Sequence, residues 1–293
     1  KIDFRLLREM LPYGINTLLY AMGAVIIYHA STLIIGIFIG AAQISEFTVA
    51  TAGVLLLTQL LGAFTGVIKP AVSDLDARDD RATVKEIALL TQKYSLLLIL
   101  PSACFLIVMG REFLHVWVSD RFTDPAVIDE MATILAILTI GHGLRLAQHS
   151  NFLVLVGRGR HKVFAALTAL TALLCVVASV ISVKVLNQGL IGIAWSNFLP
   201  LALIAGVILP IYFSRKMHIS ALENALTVWL PALFGSLPAV TVIVTWKYLS
   251  PPDSWLEIGG VVLGATLVTL VGGWFLSLTS IEQKRFARML QRR

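Results

Sequence analysis

The chain has 293 residues, 57% of them hydrophobic and 14% charged, with a mean hydropathy of +0.85. Soluble domains are about 45–50% apolar and about 25% charged, so a water-soluble enzyme, a disordered chain and a nucleic-acid module are excluded. The net charge of +6 and the pI near 9.5 then fit the Lys- and Arg-rich cytoplasmic loops of a membrane protein.

Eight apolar stretches approach or exceed the roughly 20 residues that cross a bilayer. In chain order they are Leu11–Ile39, Phe47–Val72, Ile87–Met109, Ile128–Val156, Val163–Leu186, Leu190–Phe213, Leu226–Tyr248 and Leu256–Leu278. A helix in lipid is apolar all round, so length and charged punctuation define these spans, not periodicity. The short alternating segments of a β-barrel are missing. The sequence predicts an all-α, polytopic membrane bundle of about eight transmembrane helices.

The loops support that count. With the N-terminus inside, the inner segments hold Lys1, Arg5 and Arg8; Arg78, Arg81 and Lys85; Arg158, Arg160 and Lys162; Arg215 and Lys216. The tail adds Lys284, Arg285, Arg288, Arg292 and Arg293, which makes sixteen cations. The outer segments hold four: Arg111, Arg121, Lys184 and Lys247. This positive-inside bias places both ends of the chain in the cytoplasm. Trp117, Trp246, Tyr248 and Trp255 fall near the outer ends, where amphipathic rings favour the headgroup level.

Pro101, Pro200, Pro231 and Pro238 lie inside spans, where each removes a helix hydrogen bond and tends to kink. Cys104 and Cys175 also lie inside spans and read as small buried hydrophobes with no disulfide. Phe4, Leu6, Leu7, Met10 and Leu11, with Arg5 and Arg8, suggest an interfacial elbow before Pro12. Ile281–Arg293 mixes Ile281, Phe286, Met289 and Leu290 with five basic residues. It reads as a solvated tail or as a strip along the inner leaflet.

Polar groups inside spans are costly and mark functional candidates. Span 1 carries Asn16 and His29, and span 2 carries Gln59, with Lys69 near its inner end. Snorkelling accounts for Lys69, and Lys93 sits at an inner edge without a special role. Span 4 carries His142, Arg145, Gln148, His149 and Asn151. Arg145 lies roughly 16 Å into its span at 1.5 Å per residue, too deep for an easy snorkel. His142, Arg145 and His149 share one helical face, with Gln148 at its border. This stripe either lines a cavity or bonds to neighbouring helices. No Asp or Glu lies deep in any span, so a basic cavity would suit an anion, and a permanently charged guanidinium suits phosphate.

No motif for catalysis is present: no phosphate loop, no His-Glu-x-x-His and no Cys cluster. Gly157-Arg158-Gly159-Arg160 reads as a tight basic turn. His142, His149 and His161 lack the Cys or carboxylate partners of a metal site. We therefore expect no enzyme, no cofactor and no metal.

Several short motifs occur in order. Ser31-Thr32-Leu33-Ile34-Ile35-Gly36-Ile37-Phe38-Ile39-Gly40 closes span 1, and Phe47-Thr48-Val49-Ala50 opens span 2. Lys69-Pro70-Ala71-Val72-Ser73-Asp74-Leu75 ends span 2 before a polar loop, and Pro101 and Gly157-Arg158-Gly159-Arg160 follow. This series resembles the Wzx-type flippases, the O-antigen and teichoic-acid exporters of the MOP (multidrug/oligosaccharidyl-lipid/polysaccharide) superfamily. The resemblance runs through most of Leu11–Phe213.

It implies that residues 1–218 form the second six-helix lobe of such a flippase, that 219–280 add two helices, and that 281–293 form a basic cytoplasmic tail. It also implies a missing N-terminal lobe of the same chain, in keeping with a first residue that is Lys1 and not Met. The chain departs from the family at Ser31, where an acidic residue is frequent, and at His29, where a basic one is. Those departures put cation coupling through this lobe in question.

The expected function is transport of a polyprenyl pyrophosphate-linked oligosaccharide across a bacterial cytoplasmic membrane by alternating access. Arg145 is expected to hold the pyrophosphate, with His142, His29 and His149 beside it. Gln59, Gln148 and Asn151 are candidates for sugar hydroxyls. The partners implied are the lipid-linked glycan, membrane lipid and other glycan-assembly membrane proteins, with no nucleic acid. Two other readings stand beside this one. A multidrug exporter of the same superfamily should show a deep carboxylate, and a membrane glycan polymerase or glycosyltransferase should show an outer loop larger than Gly110–Val127.

Overall fold

The computed structural model describes residues 4–66, 68–78, 80–159 and 161–291. It contains helices α1 (Phe4–Phe38), α2 (Ala41–Thr65), α3 (Ile68–Ala77), α4 (Arg81–Val108), α5 (Gly110–Val118), α6 (Pro125–Ala147), α7 (His149–Gly157) and α8 (His161–Lys184). These are followed by α9 (Gly189–Leu203), α10 (Leu209–Met217), α11 (Ala221–Asn224), α12 (Leu230–Leu249), α13 (Trp255–Gly272) and α14 (Ser280–Gln291). No strand occurs among the described residues. Eight helical runs are long and apolar enough to cross a membrane, from Tyr13–Phe38 to Trp255–Ser277. This is the multi-pass helical bundle that the composition requires, with the eight spans where the sequence places them.

Three local details differ from the sequence reading. α1 continues as helix through Pro12. The segment between spans 3 and 4 is not a plain loop: it holds α5, whose Leu114 and Val118 are buried. The C-terminal stretch begins with an anchored helix, described below.

Wide π turns interrupt the last three spans, at Ile204–Ile208, Ala225–Trp229 and Gly273–Ser277. The first two each end two residues before a proline, Pro210 and Pro231. Proline has no N–H, and its ring clashes with the carbonyl four residues back. That carbonyl belongs to Gly206 in one case and Thr227 in the other, both inside the widened turn. The π turn thus absorbs the clash and lets each span continue.

Lipid is as apolar as leucine, so close packing and interhelical hydrogen bonds hold such a bundle together. α1 lies along α8, α6 packs on α2 and α9, and α4 packs on α6. α4 is also where the last two spans attach, through α12. Glycines make that attachment close. A Cβ on Gly272 would stand 2.8 Å from the Gly235 carbonyl, and one on Gly235 would stand 2.7 Å from a Leu97 methyl. Asn197 Nδ2 donates to Ser31 Oγ at 2.9 Å, joining span 6 to span 1. Ser95 and Ser150 hydroxyls join spans 3 and 4 at 2.7 Å. Asn224 Nδ2 donates to Gln92 Oε1 at 3.2 Å, joining spans 7 and 3.

Charged residues tie the basic end. Arg158 pairs with Asp76 at 2.7 Å and Lys85 with Glu223 at 2.8 Å. Lys93 is buried and donates to Glu282 at 2.5 Å and to the Ser277 carbonyl at 3.3 Å. Tyr94 donates to the same carboxylate at 3.1 Å. Lys93 therefore does have a role, and the stretch from Ile281 is not simply solvated. α14 is pinned to span 3 at Glu282 and again by Arg285 to Glu86 at 2.6 Å. Arg292 and Arg293 lie outside the described residues. At the opposite end, Lys247 donates to the Val108 carbonyl, and Arg111 pairs with Asp129. Both cysteines are free thiols.

Candidate functional site

Span 4 is two helices meeting at Gln148. Its backbone sits at φ −94° and ψ −1°, and its N–H bonds back to the Arg145 carbonyl three residues earlier. The run Arg145–Asn151 concentrates side chains that compete for backbone hydrogen bonds. Ser150 bonds across to Ser95 and also donates to the Thr91 carbonyl at 3.4 Å, which docks the break on α4. The break turns the polar residues inward at two levels.

Arg145 heads a chain of hydrogen bonds. Its Nη2 donates to Tyr28 Oη at 2.6 Å, and Tyr28 Oη lies 3.0 Å from Thr58 Oγ1. Thr58 gives its only proton to the Val54 carbonyl at 3.0 Å, so Tyr28 is the donor to Thr58. The guanidinium also stands over the Tyr28 ring, 5.0 Å from its centroid. His142 also stacks with Tyr28, 4.9 Å centroid to centroid. Arg145 Nε and His142 Nδ1 are buried and have no partner. The site holds a fixed positive charge and two unused ring and guanidine positions, with no carboxylate among the described residues.

Beside it is a cavity of about 40 Å³, lined in part by Tyr20, Arg145, Gln148, His149, Phe152 and Thr168. That volume holds about one water. His149 lies 6.0 Å from the Phe152 ring. Asn151 is buried and donates from Nδ2 to Gln148 Oε1 at 2.9 Å, leaving its Oδ1 buried without a partner.

The structure brings together five of the seven residues selected from sequence: His142, Arg145, Gln148, His149 and Asn151. His29 and Gln59 are exposed on spans 1 and 2 and stand outside this group. Their immediate neighbours, Tyr28 and Thr58, complete the network instead. One residue along a helix is a rotation of about 100°, so a choice off by one lands on another face. Aromatic hydroxyls within reach of a buried cation were the signal that could have found Tyr28. Among the described residues no group of three His, Cys, Asp or Glu could hold a metal.

Two larger cavities lie elsewhere. One of about 400 Å³ opens between spans 6 and 7, toward the basic end. The other, of about 490 Å³, is an apolar groove between spans 2, 3, 7 and 8, lined by such residues as Leu57, Leu98, Phe105 and Val262.

Residues 1–127 match a family model described as polysaccharide biosynthesis protein. The matched part covers spans 1 to 3 and α5 and ends before Arg145. Neither a curated protein nor a solved structure matches the chain. The match and the bundle of apolar helices together fit a polysaccharide transporter or flippase in general.

Proposed function

We propose that the chain is one lobe of a flippase that moves a polyprenyl pyrophosphate-linked oligosaccharide across a bacterial cytoplasmic membrane, with the basic end on the cytoplasmic side. It transports and does not catalyse. The observation that carries this reading is Arg145: a permanently charged group inside the bundle, with a buried Nε unpartnered and no carboxylate beside it among the described residues. An interior cation attracts an anion and repels a cation, which favours a pyrophosphate cargo over a cationic drug. The family match over residues 1–127 supports a polysaccharide context.

In this conformation the cavity beside Arg145 is too small for a pyrophosphate, and Tyr28 occupies the guanidinium. Loading exchanges the neutral tyrosine hydroxyl for a phosphate oxygen, a charge-assisted and stronger partner. Arg145 then recognises the charged group common to such lipids while other contacts read the sugars. His29 and Gln59 are exposed in mid-span, where polar side chains are disfavoured against lipid. We assign their face to a shared cavity opposite a second lobe, because rocking requires two halves.

The test is export in cells that lack their own flippase, using the full open reading frame. Restored surface polysaccharide is the expected result. Failure with several glycans, together with resistance to cationic drugs, would replace this reading with a multidrug exporter.

A further inference from the structure

The cavity of about 400 Å³ between spans 6 and 7 has no role in the account so far, and its size lies in the range of small-molecule sites. Its lining includes Gln92, Asn151, Ser214, Arg215, Asn224 and Trp229. Gln92 and Asn151 are 1% and 2% exposed, unusually buried for primary amides. The Asn224–Gln92 bond uses one end of each amide and leaves a donor on Gln92 and an acceptor on Asn224. Asn151 Oδ1 has no partner at all. A buried acceptor of this kind costs free energy unless something supplies a proton to it.

Two further observations are independent of the amides. The π turn of span 7 supplies Ala225 and Trp229 to the lining of this cavity, and Pro210 and Ile211, just beyond the π turn of span 6, line its other side. π turns inside long helices concentrate at functional sites. Asn151 also forms the wall between the two cavities. Its Nδ2 bonds to Gln148, which lines the Arg145 cavity, while Asn151 itself lines this one.

From these features we infer that the cavity is a sugar-binding site that receives the first pyranose of the cargo and its phosphate. The carboxamides of Gln92, Asn151 and Asn224 exchange hydrogen bonds with ring hydroxyls. The apolar face of the Trp229 indole covers the C–H face of the ring, as an aromatic with a polar edge does at a half-wet surface. Arg215, exposed in the last turn of α10, meets the phosphate. The inference deepens the flippase reading and rests on it only for the lipid attached to the sugar. It places sugar recognition one hydrogen bond, Asn151 to Gln148, away from the cavity beside Arg145.

The experiment is a saturation-transfer NMR titration of the full-length protein in lipid nanodiscs. The probes are glucose 1-phosphate, N-acetylglucosamine 1-phosphate, free N-acetylglucosamine and inorganic phosphate. At least one sugar phosphate should bind with saturation of its ring protons. Trp229→Ala should weaken it roughly three- to tenfold, and Trp229→Phe should restore most of that loss. Asn151→Leu should weaken it roughly fivefold. Arg215→Ala should weaken the sugar phosphate but not free N-acetylglucosamine.

No ring-proton saturation from either sugar phosphate overturns the inference. So does a Trp229→Phe variant no better than Trp229→Ala when both unfold at the wild-type temperature. Binding of inorganic phosphate alone reduces the site to a phosphate contact and also overturns it. Sugar binding is read without transport, so loss of export leaves this result standing. Loss of sugar binding with export intact removes the cavity and leaves the flippase reading in place.

Discussion

Lys93 Nζ lies 2.5 Å from Glu282 Oε1, with both side chains almost fully buried, and this contact fixes the C-terminal helix α14 to span 3. Removing one partner of a buried pair costs about 3–5 kcal/mol because the other charge is left unpaired. Glu282→Gln should therefore lower the unfolding temperature in detergent and open α14 to protease. Replacing both by methionine should recover most of the loss, since well-packed apolar substitutes are often neutral. A double variant as unstable as Glu282→Gln would contradict the assignment.

The same pair sets a pH dependence. Burial works to raise the Glu282 carboxyl, but hydrogen bonds from Lys93 and Thr279 outweigh it and hold the group below the ordinary glutamate value. A carboxyl depressed in the folded state contributes stability that is complete above its unfolded pKa of about 4.3. That contribution is lost as pH falls through the lower folded value. The stability gap between wild type and Glu282→Gln should be constant from neutral pH to about 5 and shrink only on further acidification. A gap that closes near pH 7 would exclude Glu282 as its source.

Tyr28 accepts a 2.6 Å hydrogen bond from Arg145 and helps to hold it in the observed conformation, beside Tyr20. Tyr28→Phe removes a hydrogen bond to a charged group, a loss of about 1.5–3 kcal/mol, readable by thermal unfolding. Thr58→Val cuts the next link and should cost less. The two changes act on one chain, so the double variant should fall short of their sum.

The last two spans dock through glycine. Gly272→Ala would press a methyl against the Gly235 carbonyl and Pro238, at a cost of about 1–3 kcal/mol. Gly259, on the same α13, has nothing within 4 Å of the position its Cβ would take, so Gly259→Ala should be neutral or slightly stabilising. Equal effects at both positions would exclude close docking at Gly272.

Span number and placement were legible in sequence because length and basic punctuation are one-dimensional signals. The polar stripe on span 4 was legible because His142, Arg145 and His149 stand out against apolar neighbours. Side-chain direction was not. His29 and Gln59 drew attention as polar residues in mid-span, whereas Tyr28 and Thr58 make the bonds, about 100° around each helix. Lys93 was misread because Glu282, its partner, lies 189 positions away beyond five further spans. The π turns left no trace apart from Pro210 and Pro231. The cavity between spans 6 and 7 exists only once those spans meet α4 and α7.

Arg145 is the residue on which the transport reading depends, and it is tested most directly by export of surface glycan at matched expression. Wild type, Arg145→Lys and Arg145→Ala would be compared in cells lacking their own flippase. The account predicts export by wild type, partial export by the lysine variant, which keeps the charge but not the bidentate geometry, and none by the alanine variant despite normal membrane insertion. Normal export by a well-expressed Arg145→Ala protein would contradict it and leave Arg145 with a structural role only.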